Sequence, residues 1–286
     1  MRCSLVSRGL AALLVAVSAL VWTAAWAGDF ALLARRSSGD IRIDGRPDEA
    51  AWDRAAWTRD FIDLVHGGPP WLDTSAALLW DDDALYLAVR CAEPDVNATM
   101  VRRDDPLYRE NDVEFFIAGQ DAYWEVEANA LGAVYDVFWV WVDRLGPGRR
   151  YGPPDWDPAG RRVMRLSGIG DHVHPRGERV GFIDADLPGL AAAAAVQGTL
   201  NDPGDQDLGW TLEVAIPWAG LAPLADGRSL PPRPGDAWRA NFFRFEFRDA
   251  EGQPLPLLRP AAWALSPHGV FDAHVPERFG VVRFVE

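Results

Sequence analysis

The sequence predicts an all-β protein, built as an antiparallel β-sandwich in a single domain. Short segments alternate apolar and polar residues, as in Trp210 to Ile216, where Trp210, Leu212, Val214 and Ile216 oppose Thr211, Glu213 and Ala215. Turn signals separate these segments, drawn from 26 glycines and 22 prolines. No heptads, internal repeats or interdomain linker interrupt the pattern. Many short strands joined by Gly/Pro turns indicate a sandwich.

The first residues call for separate treatment. Arg2 and Arg8 give a positive start, Leu10 to Trp22 is apolar, and Ala25-Trp26-Ala27 has small residues at the cleavage positions. This reads as a secretory signal peptide over 1–27, leaving an exported chain of 28–286, periplasmic or extracellular. The apolar run is short for a membrane span, and no other long one follows, so no membrane span is expected in the mature chain.

Composition removes several function classes. The net charge is −14, and it becomes about −16 once Arg2 and Arg8 leave. An acidic surface disfavours nucleic acid and anionic membranes. Every basic residue other than histidine is Arg, which excludes lysine Schiff bases and a P-loop. Only Cys91 remains outside the leader, so neither an internal disulfide nor a thiolate cluster can form. Nothing in the sequence sets the oligomeric state.

Along the chain, Ile41 to Gly45 reads as a strand entering a turn, and Pro47 to Trp52 as one or two helical turns. Thr74 to Trp80 and Leu85 to Cys91 form a hairpin around Asp81-Asp82-Asp83, a solvated turn or a calcium ligand set. Tyr108 to Asp136 is the organising stretch. Asp112 to Ile117 and Tyr123 to Asn129 alternate on either side of a Gly119–Asp121 turn. Paired with their apolar faces together, they gather Glu114, Glu125, Glu127 and Asn129 on one polar patch. Such a patch is either solvated or met by arginines, a cation or a ligand's hydroxyls. Arg244, expected to face out with Glu246 and Arg248 while Phe243, Phe245 and Phe247 face in, is the arginine expected to pair with Glu125 and Glu127. From 143 to 184 periodicity is lost, a loop length that marks a functional or mobile segment. The alanine run in Leu190–Leu200 has helical propensity.

The order of motifs resembles the family 9 carbohydrate-binding module and the wider group of jelly-roll, DOMON-like β-sandwiches. The matching stretches are IRIDGRPDEAAW (41–52), LLWDDDALYLAVRC (78–91), RENDVEFFI (109–117), YWEVEANALGAVYD (123–136), GWTLEVAIPWAGL (209–221), GDAWRANFFRFE (235–246), WALS (263–266) and HVPERFGVVRF (274–284). They cover nearly all of the chain after the leader; the segment 143–184 is a departure, longer than a compact module needs. The resemblance implies that 192–201 is a strand and turn, overriding the helical propensity. It also implies a non-catalytic protein that clamps a sugar or polysaccharide between aromatic rings, with charged and amide side chains bonding its hydroxyls, in the service of polysaccharide breakdown.

Candidate ligand residues on that reading are Trp71, Trp139, Trp141, Trp156 and Trp263, with Arg102, Arg103, Glu125, Glu127, Asn129 and Arg244. Trp263 is the leading one, because Pro-rich 254–260 and Pro267 place it on an irregular segment beside small residues that would leave its indole open. Trp52, Trp80, Trp124, Trp210, Trp218 and Trp238 are expected in the core. Other readings stay open. Some DOMON-like sandwiches hold haem b between Met and His, for which Met100, Met164, His172, His174, His268 and His274 are the candidates. A glycoside hydrolase would need two carboxyls among Glu114, Glu125, Glu127, Glu213 and Glu246. An assembly module would need no ligand.

Overall fold

A computed structural model describes residues 31–286; the expected leader 1–27 and its cleavage point lie outside the described residues. The described residues form fourteen strands: β1 Ala31–Arg36, β2 Ile62–Asp63, β3 Thr74–Trp80, β4 Ala84–Ala92, β5 Asp112–Ala118, β6 Ala122–Ala128 and β7 Val134–Trp141. The rest are β8 Val163–Leu166, β9 Arg179–Phe182, β10 Ala191–Gln197, β11 Gly209–Pro217, β12 Ala237–Glu246, β13 Ala261–Ala264 and β14 Gly280–Val285. Helical structure among the described residues is confined to short 3-10 turns.

Hydrogen bonding runs β10-β11-β4-β3-β1-β14-β12-β5-β6-β7-β9-β8, with β13 on β12 and β2 on β13. The first five strands form one layer and the remainder the other. β1 joins them, paired in parallel with both β14 and β3, while the other strand pairs are antiparallel. Leu78, Trp80, Leu87, Trp210 and Leu212 from one layer meet Phe115, Trp124 and Phe242 from the other in the main core. The sandwich read from the alternation is therefore present, and all six tryptophans assigned to the core are buried.

Each layer is also covered on its outer face. Outside the first, Ala51 and Trp52 pack on Ala77, Leu79 and Ala88. The helix expected over 47–52 is instead a single 3-10 turn, Trp52–Arg54. Glu213 fastens this cover, accepting hydrogen bonds from the backbone N–H of Asp44 (3.2 Å) and Gly45 (3.0 Å) and from the Trp52 indole (3.0 Å). Gly45 has φ +83°, and a Cβ there would lie 2.4 Å from the carbonyl carbon of Ala194, so the turn tolerates no side chain. The alanine run is β10, paired along its length with β11. Tertiary pairing overrides helical propensity here, and the small side chains admit Gly45 and Gly132 against the strand.

The outer face of the second layer carries its own cluster, including Phe116, Tyr123, Val137, Trp139, Phe243 and Phe279. The 143–184 segment is ordered rather than periodic: it supplies β8 and β9 and extends this layer beyond β7.

The orientation expected for β12 is reversed. Phe243 and Phe245 belong to the outer cluster, whereas Arg244 and Glu246 project between the layers and are buried. Arg244 pairs with Glu93 (3.2 Å) and Glu246 (3.4 Å) and donates to Thr74 Oγ1 and Ala92 O, and Asn111 bridges both glutamates at 2.7 Å. It therefore does not pair with Glu125 or Glu127. Strand parity is the reason: β5 and β6 place their carboxylates on the outer face, and β12 places Arg244 on the inner one. Arg244→Met should leave two buried carboxylates without their cation and lower stability by about 3–5 kcal/mol; urea unfolding of the purified variant measures this, and a loss near zero would contradict the assignment.

Candidate functional site

β5 and β6 pair as a hairpin with the apolar and polar faces read from the sequence. Glu114 faces Glu127 and Phe116 faces Glu125, with Val113, Phe115, Trp124 and Val126 turned to the core. The polar face is not solvated, however: Glu114, Glu125, Glu127 and Asn129 are all at most 4% exposed. The cover comes from 257–274 and from β8, segments with no strict alternation to reveal it.

Between this cover and the sheet lies a cavity of about 300 Å³. Its floor holds Glu114, Glu125 and Glu127. Tyr108, Tyr135, Trp139, Phe245 and Phe271 form aromatic walls, completed by Leu64, Met164 and Leu166, with His274 and Asp272 at one side. Tyr108, Leu257 and Leu258 line it and are exposed, so the cavity opens between the 3-10 turn Leu107–Arg109 and the 257–260 loop. No arginine is among the lining residues.

Trp139 is held from two sides. Its indole N–H donates to Glu125 Oε2 at 2.6 Å, and its ring lies against Gly181, where a Cβ would come within 2.8 Å of three ring atoms. His274 connects Glu125 (3.4 Å) to the Tyr123 hydroxyl (3.0 Å). Burial pushes the His274 imidazole down to about 3, so it is neutral; a proton on Nε2 then lets Glu125 accept and the Tyr123 hydroxyl donate to Nδ1. Burial, only partly offset by the Trp139 hydrogen bond and the Arg179 charge, pushes Glu125 up to about 8. Burial and then neighbouring carboxylates raise Asp112, Glu114 and Glu127 well above the usual range.

Of the candidate sugar-ligand residues, only Trp139, Glu125 and Glu127 line this cavity. Trp263 is on β13, not on an irregular segment, and is 2% exposed, wedged between the Arg244 guanidinium and the edge of Trp71. Pairing of β13 with β12 and β2 draws it inward. Trp71 is 43% exposed but outside the cavity. Trp156 packs on Phe138, and Trp141 on His174 and Arg179. Arg102 pairs with Asp105 at the surface, and Arg103 with Asp136 at 2.7 Å. Asn129 fastens its own turn, accepting from the N–H of Leu131 and Ala133 and donating to Met100 O and Glu110. Tyr108, Tyr135 and Phe271 were not singled out. Tyr135 carries a signal, since it alternates in step with Val137 and Trp139; the irregular stretch before Phe271 carries none.

The alternative chemistries find less support. Among hydrolase candidates, Glu213 and Glu246 serve the two anchoring networks above. Among haem candidates, Met164 and His274 share the cavity, but both His274 nitrogens are engaged; His174 binds Glu277 and His268 binds Asn241 and Asp272 O. In the Asp81–Asp83 turn, Asp81 accepts from the N–H of Asp83 and Ala84 and from the Tyr86 hydroxyl.

No protein-family model and no curated protein matches the sequence. Solved structures do. A Bacteroides uniformis protein provisionally described as carbohydrate-binding superposes with TM-score 0.57 at 17% identity, over 89% of this chain and 98% of that one. A family 9 carbohydrate-binding module from Caldicellulosiruptor kristjanssonii, solved with glucose, gives TM-score 0.48 at 15% identity, over 88% and 95% of the two chains. Its cellotriose complex gives 0.44 at 15%, over 89% and 93%. The chain thus shares the fold of the first of these along nearly its whole length, in keeping with the motif order.

The raised carboxyls set a pH dependence. Each stays protonated when folded across a range where the unfolded chain ionises it, so its contribution is complete below the ordinary carboxylate range and is lost as pH rises through the raised value. His268 and His274, held down to about 4 and about 3, act in the opposite sense, but only below about 6.5. From pH 6.5 to about 8 the carboxyls act alone. In chelated buffer the melting temperature is therefore expected to fall over that window; a flat or rising profile in a pH series of thermal melts would contradict the buried-acid assignment.

Proposed function

We propose that this is a non-catalytic carbohydrate-binding protein whose ligand enters the cavity over β5, β6 and β7. One observation carries the reading: a single cavity combines aromatic walls with buried carboxylates on its floor. The C–H face of a sugar ring packs on Trp139, Tyr135 or Tyr108, and its hydroxyls donate to Glu114, Glu125 and Glu127. The fold shared with the Bacteroides protein supports this assignment. Acting beside separate enzymes that degrade polysaccharide, such a protein holds the chain ends or short oligosaccharides that fit about 300 Å³. The pattern Arg2 to Ala27 supports export.

Calorimetry with a panel of gluco-, xylo- and manno-oligosaccharides tests the reading. Tyr108→Ala, at the exposed mouth of the cavity, should weaken the best ligand by about 1–3 kcal/mol with little change in fold. Trp263→Ala should instead cost about 3–5 kcal/mol of stability, as for emptying a buried aromatic site, and leave affinity unchanged at temperatures where it is folded. No heat with any sugar, or release of reducing ends from the panel, would overturn the proposal. Mass spectrometry of protein expressed with its leader should find Gly28 at the N-terminus; a retained Met1 would remove the case for export.

A further inference from the structure

We propose that Asp112, Glu114 and Glu127 bind a divalent cation of the calcium class at the floor of the cavity. Asp112 and Glu114 project from one face of β5, and Glu127 is the cross-strand partner of Glu114 on β6. Sheet register therefore brings the three together. One oxygen from each lies within 4.8 Å of the others. The three side chains are 0%, 4% and 1% exposed.

The second observation is what these oxygens lack. Both oxygens of Asp112, and Oε2 of Glu114 and of Glu127, have no hydrogen-bond partner. Protein interiors pair nearly all buried polar groups, and a buried carboxyl oxygen without a partner is an expensive exception. An oxygen-only donor set of this kind selects calcium, magnesium or manganese over zinc or copper. Calcium holds oxygens at about 2.3–2.6 Å, which allows two ligands across the ion to stand about 5 Å apart. The oxygens here are already within that span.

Another acidic triad in the same layer shows the contrast. Asp104, Asp136 and Asp186 also converge, but Arg103 lies 2.7 Å from Asp136 and 3.6 Å from Asp186, and Arg162 lies 3.6 Å from Asp104. Guanidinium groups neutralise that triad. The free oxygens of Asp112, Glu114 and Glu127 accept from none.

Glu114 and Glu127 also line the cavity, so the remaining coordination positions of the ion open onto it. Resting on the carbohydrate reading, the ligand class is then a sugar with vicinal hydroxyls that complete the coordination shell.

The test uses the mature protein stripped by chelator. Calcium chloride titration by calorimetry should show one site, and terbium should bind there with luminescence sensitised by Trp139 and Tyr135 in the same cavity. Calcium should raise the melting temperature by several degrees. The Asp112→Asn/Glu127→Gln variant keeps side-chain volume and removes two carboxylate ligands. It should melt higher than the stripped parent yet bind calcium at least tenfold more weakly. A folded, stripped protein that takes up neither ion would overturn the proposal, as would full calcium affinity in the variant. Sugar calorimetry is run with and without calcium: sugar heat that is independent of calcium overturns the bridging role. Calcium binding without any sugar heat confirms the ion site and counts against the carbohydrate reading alone.

Discussion

Everything distinctive in this molecule follows from a hairpin buried on both faces. β5 and β6 turn Val113, Phe115, Trp124 and Val126 into the sandwich, as any half-buried sheet would. Their other face carries Asp112, Glu114, Glu125 and Glu127, and it too is cut off from water. Four carboxyls on one buried face are expensive. Their cost is met locally, by the indole of Trp139 and by His274 for Glu125, and by protonation or an ion for the others. A surface designed only for stability would place apolar side chains there. Acids retained in such a position point to binding.

Elsewhere the chain uses acids as fasteners. Glu213 holds the 41–52 loop through three donors, and Glu93 with Glu246 clasps Arg244 where the layers end. The difference between a fastener and a site residue is not the side chain but its company. The fasteners are met by donors, whereas Asp112, Glu114 and Glu127 keep oxygens that no donor meets.

Most of the architecture was legible in the sequence because period-two alternation and turn residues are local signals. The faces of β5 and β6, the core tryptophans and the antiparallel layers all follow from it. The site was less legible. Alternation separates two faces of a strand but does not say which is covered by distant chain, so it points Arg244 outward toward Glu125 and Glu127, whereas the fold buries it against Glu93 and Glu246. Trp263 illustrates the same limit from the opposite direction. Prolines on either side suggest an exposed edge, yet β13 pairs on both sides and pulls its indole inside. Tyr108 and Phe271 reach the cavity through folds of the chain that no spacing rule records.

The pairing of β1 has a consequence for how the protein is made. Ala31–Arg36 lies between β3 and β14, and β14 is Gly280–Val285. The two layers are thus stitched together by a contact between strands about 250 residues apart, at the far end of the range of loop closures a domain must make. A nascent chain that has emerged only as far as β12 has both halves of the sandwich and no seam. The seam between the layers therefore closes only once both ends of the described chain are present.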